Sequence, residues 1–102
     1  MSGVDLDKAQ RETARWRILA ILDAGRPLGV SEITMGRALS DAALRVTPHE
    51  LREELDYLEK KDLVTTDRES GTWSAALTGL GIDVVEYTVK CPAGIARPEK
   101  YW

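Results

Sequence analysis

The four residues 47–50, Thr-Pro-His-Glu, constrain the fold of this chain most, because they fix the start of a helix. Threonine caps the unpaired amide groups at a helix start, proline favours the first helical position, and the glutamate completes a capping box. Leu51, Leu55 and Leu58 then recur at helical spacing, which places them on one face. The sequence therefore predicts a helix from 48 to about 61 with a buried leucine stripe.

Two helices are predicted before this one. Asp5 or Asp7 can cap a first helix that runs to about residue 24, where Gly25 stops it. Ser31 can cap a short second helix over about 31–40, because a hydroxyl accepts a hydrogen bond from an unpaired amide. The residues between this helix and the capped one form a turn, so the pattern predicts a helix-turn-helix.

A β-hairpin and a closing helix are predicted after the third helix. Residues 63–66 and 72–77 favour strands, and the polar stretch between them ends in Gly71, which suits a turn. Thr78 can cap a fourth helix over roughly 79–87. The fold class is therefore α+β and mainly α. The predicted architecture is a winged helix over residues 1–90, followed by an extended tail over 91–102.

The passage 55–64, Leu-Asp-Tyr-Leu-Glu-Lys-Lys-Asp-Leu-Val, resembles the path from recognition helix into wing in MarR-, PadR- and ArsR-like regulators. Those families usually have glycine where Asp62 stands, and aspartate tolerates the left-handed backbone better than most residues. Residues 77–81, Leu-Thr-Gly-Leu-Gly, resemble the start of the helix after their wing. The resemblance implies a DNA-binding winged helix.

A second resemblance covers most of the chain. The first-helix phrase 17–22, the capped third helix, the wing, the phrase 77–84 and the tail residues 94–98 occur in an order similar to that of small winged-helix proteins of Mu-like prophages. This resemblance implies a phage or prophage setting.

Composition bounds the remaining possibilities. The 102 residues correspond to one domain, and the net charge of −3 is unusual for a protein that binds DNA through a broad phosphate footprint. One cysteine allows no internal disulfide, and one cysteine with one histidine cannot build a structural zinc site. The polar N-terminal residues do not resemble a secretory signal, and no apolar run is long enough for a bilayer. We expect a cytoplasmic protein without a membrane span, a metal or a cofactor.

Catalysis is not expected either. His49 lies beside Glu50 and Glu53, which could make it a general base, but a solvated histidine on a helix surface is commoner. Cys91 has no activating base nearby in the sequence. We therefore predict a protein that is not an enzyme.

The interpretation as a winged helix places the third helix in the major groove of double-stranded DNA and the hairpin turn on the DNA backbone. Arg52 could read guanine edges bidentately, Arg68 at the wing tip could contact phosphate, and basic residues near the helix could add backbone contacts. The predicted DNA-binding residues are His49, Arg52, Lys60, Lys61, Arg68 and Arg45.

The acidity of the third helix leaves an alternative open. Residues 48–59 carry five acidic side chains and one arginine, and each carboxylate near phosphate opposes binding. Either these acids point away from DNA, or the helix meets a host or phage protein instead. The sequence alone also leaves open whether Arg52 faces DNA or pairs with Asp56.

Aromatic residues indicate a second contact surface. Trp16 and Tyr87 lie on the first and last helices, through which the resembled families often dimerise, so we expect a homodimer. Tyr101 and Trp102 close the tail and are costly to leave in water. They either fold back on the domain or dock on a partner.

Overall fold

The computed structural model describes residues 5–100. The helices are α1 (Leu6–Ala24), α2 (Glu32–Asp41), α3 (Pro48–Lys60) and α4 (Gly79–Val85), and the strands are β1 (Val30–Ser31), β2 (Val64–Asp67) and β3 (Ser74–Leu77). The strands form one antiparallel sheet in the order β1-β3-β2. The predicted fold class is confirmed: the chain is α+β, mainly α, and has the winged-helix arrangement. The short strand β1 is the one element among the described residues that the sequence did not predict.

Polar side chains begin the helices where the sequence placed them. The hydroxyl of Thr47 accepts a hydrogen bond from the amide of Glu50 at 3.1 Å, and the carboxylate of Glu50 accepts one from the amide of Thr47 at 2.9 Å. This is the expected capping box. Asp5, Ser31 and Thr78 cap the other three helices, each by accepting a hydrogen bond from the backbone amide three residues on.

The core lies between the helices and one face of the sheet. Its buried apolar side chains are Ile18, Leu19, Leu22, Met35, Leu39, Leu51, Leu55, Leu58, Leu63, Val64, Ala75, Val84 and Ile95. The leucine stripe of α3 is among them, as its spacing predicted. Burying this stripe against α1, α2 and the sheet fixes α3, so its opposite face is left towards solvent.

The chain turns from α3 into β2 at Asp62, whose φ of 63° is left-handed. The backbone amide of Leu63 donates to the carbonyl of Leu58 at 3.0 Å, and the Thr78 hydroxyl donates to the carbonyl of Asp62 at 2.6 Å. The left-handed turn explains why an aspartate can stand where the resembled families have glycine.

Residues 91–100 contain neither helix nor strand and fold back along α1 and α4. The amide of Ala96 donates to the carbonyl of Glu12 in α1 at 3.1 Å, and Arg97 donates to the carbonyls of Val84 and Val89. Ile95 is buried in the core. This part of the tail is therefore packed against the domain. Within residues 5–100, no helix combines the length and hydropathy needed to cross a membrane.

Candidate nucleic-acid interface

Helix α3 and the β2–β3 hairpin lie side by side and form the candidate interface. The two are tied together by arginines from each element, and both arginines stack on the same indole. The guanidinium carbon of Arg52, from α3, lies 4.8 Å from the ring centroid of Trp73, and that of Arg68, from the hairpin, lies 4.1 Å from it. Such cation–π contacts hold the hairpin against the helix.

Arg52 is held by a carboxylate of α2. Its Nε and Nη2 donate to the two oxygens of Glu32 at 2.8 and 2.7 Å, and Nη2 also donates to the carbonyl of Gly71 at 3.0 Å. The hydrogen bond with Glu32 raises the pKa of Arg52, which stays charged. The side chain is 38% exposed. The sequence left open whether Arg52 faces DNA or pairs with Asp56. Within the chain, the structure pairs Arg52 with Glu32 and not with Asp56.

Glu32 is the residue of this site that the sequence did not indicate. Besides Arg52, its carboxylate accepts the backbone amide of Trp73 at 2.7 Å, so it joins α2, α3 and the hairpin. The hydrogen bond from Arg52 lowers the pKa of Glu32, and the amide of Trp73 lowers it further. Glu32 and Arg52 are 20 residues apart, and local patterning carries no signal for such a contact.

Arg68 leans from the hairpin over the C-terminal half of α3. Its Nη2 donates to Glu59 at 2.7 Å and to Asp56 at 3.3 Å, and its Nε donates to the hydroxyl of Thr66 at 3.0 Å. The side chain is 40% exposed. Arg68 therefore neutralises two acids of α3 while it stays partly accessible.

The two lysines at the end of α3 are exposed and near the same acids. Lys60 pairs with Asp56 at 3.0 Å, and this contact, followed by that with Arg68, lowers the pKa of Asp56. The ammonium group of Lys61 lies 5.5 Å from the ring centroid of Tyr57. Both cations are on long flexible chains, and such surface contacts are weak enough to exchange.

His49 and Arg45 lie at the other end of α3. His49 is 85% exposed, with Nε2 3.8 Å from a carboxylate oxygen of Glu53. Arg45 is exposed in the turn before α3 and lines a cleft of about 160 Å³ between that turn, α1 and α3. The six predicted DNA-binding residues thus follow α3 and the hairpin from one end to the other, and all six are at least partly exposed.

The acids of α3 have partners inside the protein. Glu50 closes the capping box, Asp56 and Glu59 bind Arg68, and Glu54 is buried. The carboxylate of Glu54 accepts a hydrogen bond of 2.6 Å from Arg15 in α1. Glu54 lies on the leucine face of α3, three residues after Leu51, and an acid on a buried face was a signal that a cation had to meet it.

Glu53 differs from the other four acids. It is exposed, and the one polar contact of its side chain within residues 5–100 is the 3.8 Å approach of its carboxylate to His49.

The aromatic residues predicted for a subunit interface contact each other within one chain. The rings of Trp16 and Tyr87 meet edge to face with centroids 6.2 Å apart, and Arg97 stacks on Tyr87 at 4.3 Å. The Tyr87 hydroxyl donates to the carbonyl of Pro98 at 2.8 Å. Both rings remain half-buried. Tyr101 and Trp102 lie outside the described residues.

Chemistry-bearing groups are sparse elsewhere. No group of three or more potential metal ligands occurs within residues 5–100. Cys91 is half-buried, and burial raises the pKa of its thiol, which keeps it protonated at neutral pH.

Comparison with known proteins supports the architecture. No protein-family profile matches the sequence, and no curated protein matches it. Among solved structures, the chain is similar to RosR of Halobacterium salinarum, a transcriptional regulator of winged-helix type, with a TM-score of 0.64 and 26% sequence identity. The alignment covers 74% of this chain and 67% of RosR. The chain therefore has a winged-helix fold.

Proposed function

We propose that this protein is a DNA-binding transcription regulator without enzymatic activity, in which α3 enters the major groove and the hairpin contacts the backbone. The similarity to RosR supports the class of function. The observation that carries the proposal is that four of the five acids of α3 are engaged by partners within the protein. The acidity of this helix is therefore no longer an argument that it avoids phosphate.

The charges of the interface support the same conclusion. Arg15 neutralises Glu54, and Arg68 with Lys60 neutralises Asp56 and Glu59. A carboxylate that already has a cation at hydrogen-bond distance presents much less negative potential to an approaching phosphate.

We assign the contacts by position. Arg52 faces a base, and Arg68 faces a phosphate beside the hairpin. The remaining cations, His49, Arg45, Lys60 and Lys61, supply backbone contacts along α3. Such contacts position a protein on DNA and make its affinity dependent on salt.

The finer features of the prediction belong to this proposal as well. A homodimer would present its two α3 helices about one helical turn, roughly 34 Å, apart, which matches two half-sites on one face of DNA. The origin in a phage or prophage rests on the sequence resemblance, and the cytoplasmic location rests on the polar N-terminal residues and the short apolar runs. Both stay predictions, as does the division into residues 1–90 and 91–102.

A second candidate function is a winged-helix module that binds a host or phage protein. It is favoured by one observation: both arginines of the interface, Arg52 and Arg68, already donate to carboxylates of the same chain. If those carboxylates cancel the charge of both arginines, neither arginine attracts phosphate strongly, and α3 is left to meet a protein.

Titration with labelled DNA at about 50 and 200 mM salt separates the two functions. We expect the wild-type protein to bind fragments of its own genomic neighbourhood, and the affinity to fall steeply as the salt concentration rises. Arg52→Ala and Arg68→Ala should weaken binding, and losing the phosphate contact of Arg68 should reduce the salt slope by about 1.

Arg17→Ala is the matched control, because Arg17 is exposed on α1 and away from the proposed interface. Binding that is absent at about 50 mM salt contradicts the DNA proposal, because phosphate contacts are strongest there. That result favours the protein-binding alternative.

A further inference from the structure

We propose that Glu32 is the positioning residue of this interface: it orients Arg52 so that one nitrogen, Nη1, faces a base, and so sets base preference at one position of the site. The inference rests on the proposed function, because it concerns how the same surface reads DNA. Glu32 itself lies in α2 with a side chain only 11% exposed, so it acts through Arg52 and does not touch the base.

The hydrogen bonds of Arg52 define which donors remain. A guanidinium has five N–H groups in one plane. Nε uses its proton on Glu32, and Nη2 uses one proton on Glu32 and the other on the carbonyl of Gly71. None of residues 5–100 accepts a hydrogen bond from Nη1 of Arg52 in the structure. Two N–H groups on a single nitrogen are therefore left for a ligand.

This arrangement limits how Arg52 can make a bidentate contact with guanine. The usual fork places one N–H of each terminal nitrogen on O6 and N7 of the same guanine. With both protons of Nη2 committed, Arg52 can approach the base edge with Nη1 alone. Guanine stays the preferred base, because its two neighbouring acceptors can share that nitrogen.

Glu32 can impose this orientation because it is itself fixed. Its carboxylate accepts the amide of Trp73, and the indole of Trp73 lies under the guanidinium of Arg52. The same acid therefore fixes the guanidinium in its plane through the fork, and it holds the backbone of the residue whose ring the guanidinium stacks on. An arginine held in this way does not lose side-chain freedom when it meets a base, which favours the one orientation it already has.

The test is a measurement of base preference. A site is selected from random double-stranded DNA with the wild-type protein, and the affinities for that site and each of its single-base variants are measured. Arg52→Ala identifies the base pair that Arg52 reads, as the position where discrimination disappears. At that position we expect the wild-type protein to favour guanine by at least about fivefold, the lower end for an arginine–guanine contact.

We expect Glu32→Gln to reduce this preference to within about twofold, because an amide can hold neither the charge nor the fork. Preferences at the other positions should stay. Glu99→Gln is the matched control: it makes the same substitution at an exposed acid of the tail, outside α3 and the hairpin, and should leave the preference intact. In an Arg52→Ala background, Glu32→Gln should cause no further loss, because Glu32 acts through Arg52.

Circular dichroism checks that each variant is folded. If Glu32→Gln does not fold, Glu32→Asp replaces it; its carboxylate is one methylene short of the fork, and the same loss is expected.

Other outcomes overturn the inference. It is wrong if Glu32→Gln keeps the preference of the wild type, or if preference falls equally at every position, as it would for a merely structural role. It is also wrong if Arg52→Ala changes no position. In those cases DNA binding by the wild type leaves the proposed function standing. A wild-type protein that enriches no DNA at all overturns both together.

Discussion

The contact between Arg15 and Glu54 gives the sharpest stability prediction. Arg15 on α1 donates to the buried carboxylate of Glu54 on α3 at 2.6 Å and to the carbonyl of Gly94 in the tail at 2.9 Å. Its guanidinium carbon also lies 3.7 Å from the ring centroid of Tyr57. The side chains of Arg15 and Glu54 are only 15% and 7% exposed. One arginine thus connects α1, α3 and the tail.

The substitution that tests this contact is Arg15→Met, which keeps most of the aliphatic packing of the side chain and removes its charge. Leaving one partner of a buried ion pair without the other costs about 3–5 kcal/mol. The hydrogen bond to Gly94 adds about 1 kcal/mol, part of which methionine recovers by packing on Tyr57. We expect the free energy of unfolding to fall by about 3–5 kcal/mol, and the melting temperature to fall by roughly 12 °C or more.

Urea unfolding followed by far-ultraviolet circular dichroism measures this change. The slope of the free energy of unfolding against urea concentration should be the same in variant and wild type, which shows that both expose the same amount of surface on unfolding. Arg17→Met, an exposed change of the same kind on the same helix, should alter stability by no more than about 0.5 kcal/mol. Replacing both partners by apolar residues, as in Arg15→Met with Glu54→Leu, should recover at least about 2 kcal/mol, because no buried charge is left alone. A loss below about 1 kcal/mol in the single variant, or no recovery in the double variant, refutes the reasoning.

Three further predictions concern stability. A methyl group at Gly81 would overlap the backbone carbonyl of Leu63, so Gly81→Ala should lower the free energy of unfolding by at least about 2 kcal/mol. Gly36 lies in α2 with open space around it, so Gly36→Ala should raise the free energy of unfolding by about 0.5–1 kcal/mol. Thermal or urea unfolding measures both changes. Asp62 has a left-handed backbone, so Asp62→Gly should be about 1 kcal/mol more stable to unfolding than Asp62→Ala. Equal stabilities of the two variants would contradict the strain argument. The folded protein holds the pKa of Glu32 below its usual 4.5. The stability that ionised Glu32 contributes is therefore complete above about pH 4.5 and is lost as the pH falls through the pKa of the folded state. The free energy of unfolding should accordingly fall less between about pH 5.5 and 3 in Glu32→Gln than in the wild type.

Local chemistry explains why most of the fold was predictable from the sequence. Helix starts are determined by side chains within three residues, so Ser31, Thr47 and Thr78 were identified as caps and are caps in the structure. The leucines of α3 have helical periodicity, and the strands of the hairpin are bounded by turn residues. By contrast, β1 is two residues long and exists only because it pairs with β3, which no local pattern reveals.

The positions of the six basic residues on α3 and beside it were predictable from the sequence, but their partners within the protein were not. Exposure of the six basic positions followed from their places on α3 and beside it. The pairing of Arg52 with Glu32 joins two helices, and the pairing of Arg68 with α3 depends on how the hairpin folds over that helix. Both contacts are tertiary. The burial of Glu54 was foreseeable, since it shares the leucine face, but its partner Arg15 is 39 residues away.

Mapping the DNA contact surface by NMR tests the central claim most directly. Amide signals of isotopically labelled protein are followed while the selected double-stranded DNA is added at low salt. The account predicts that the largest shifts occur in α3 and in the hairpin turn around Arg68 and Gly71. Little change is expected along the surface formed by α1 and the segment after α4, which carries Trp16 and Tyr87. Shifts confined to that opposite surface, or no shifts at all, would contradict the claim that α3 and the wing bind DNA.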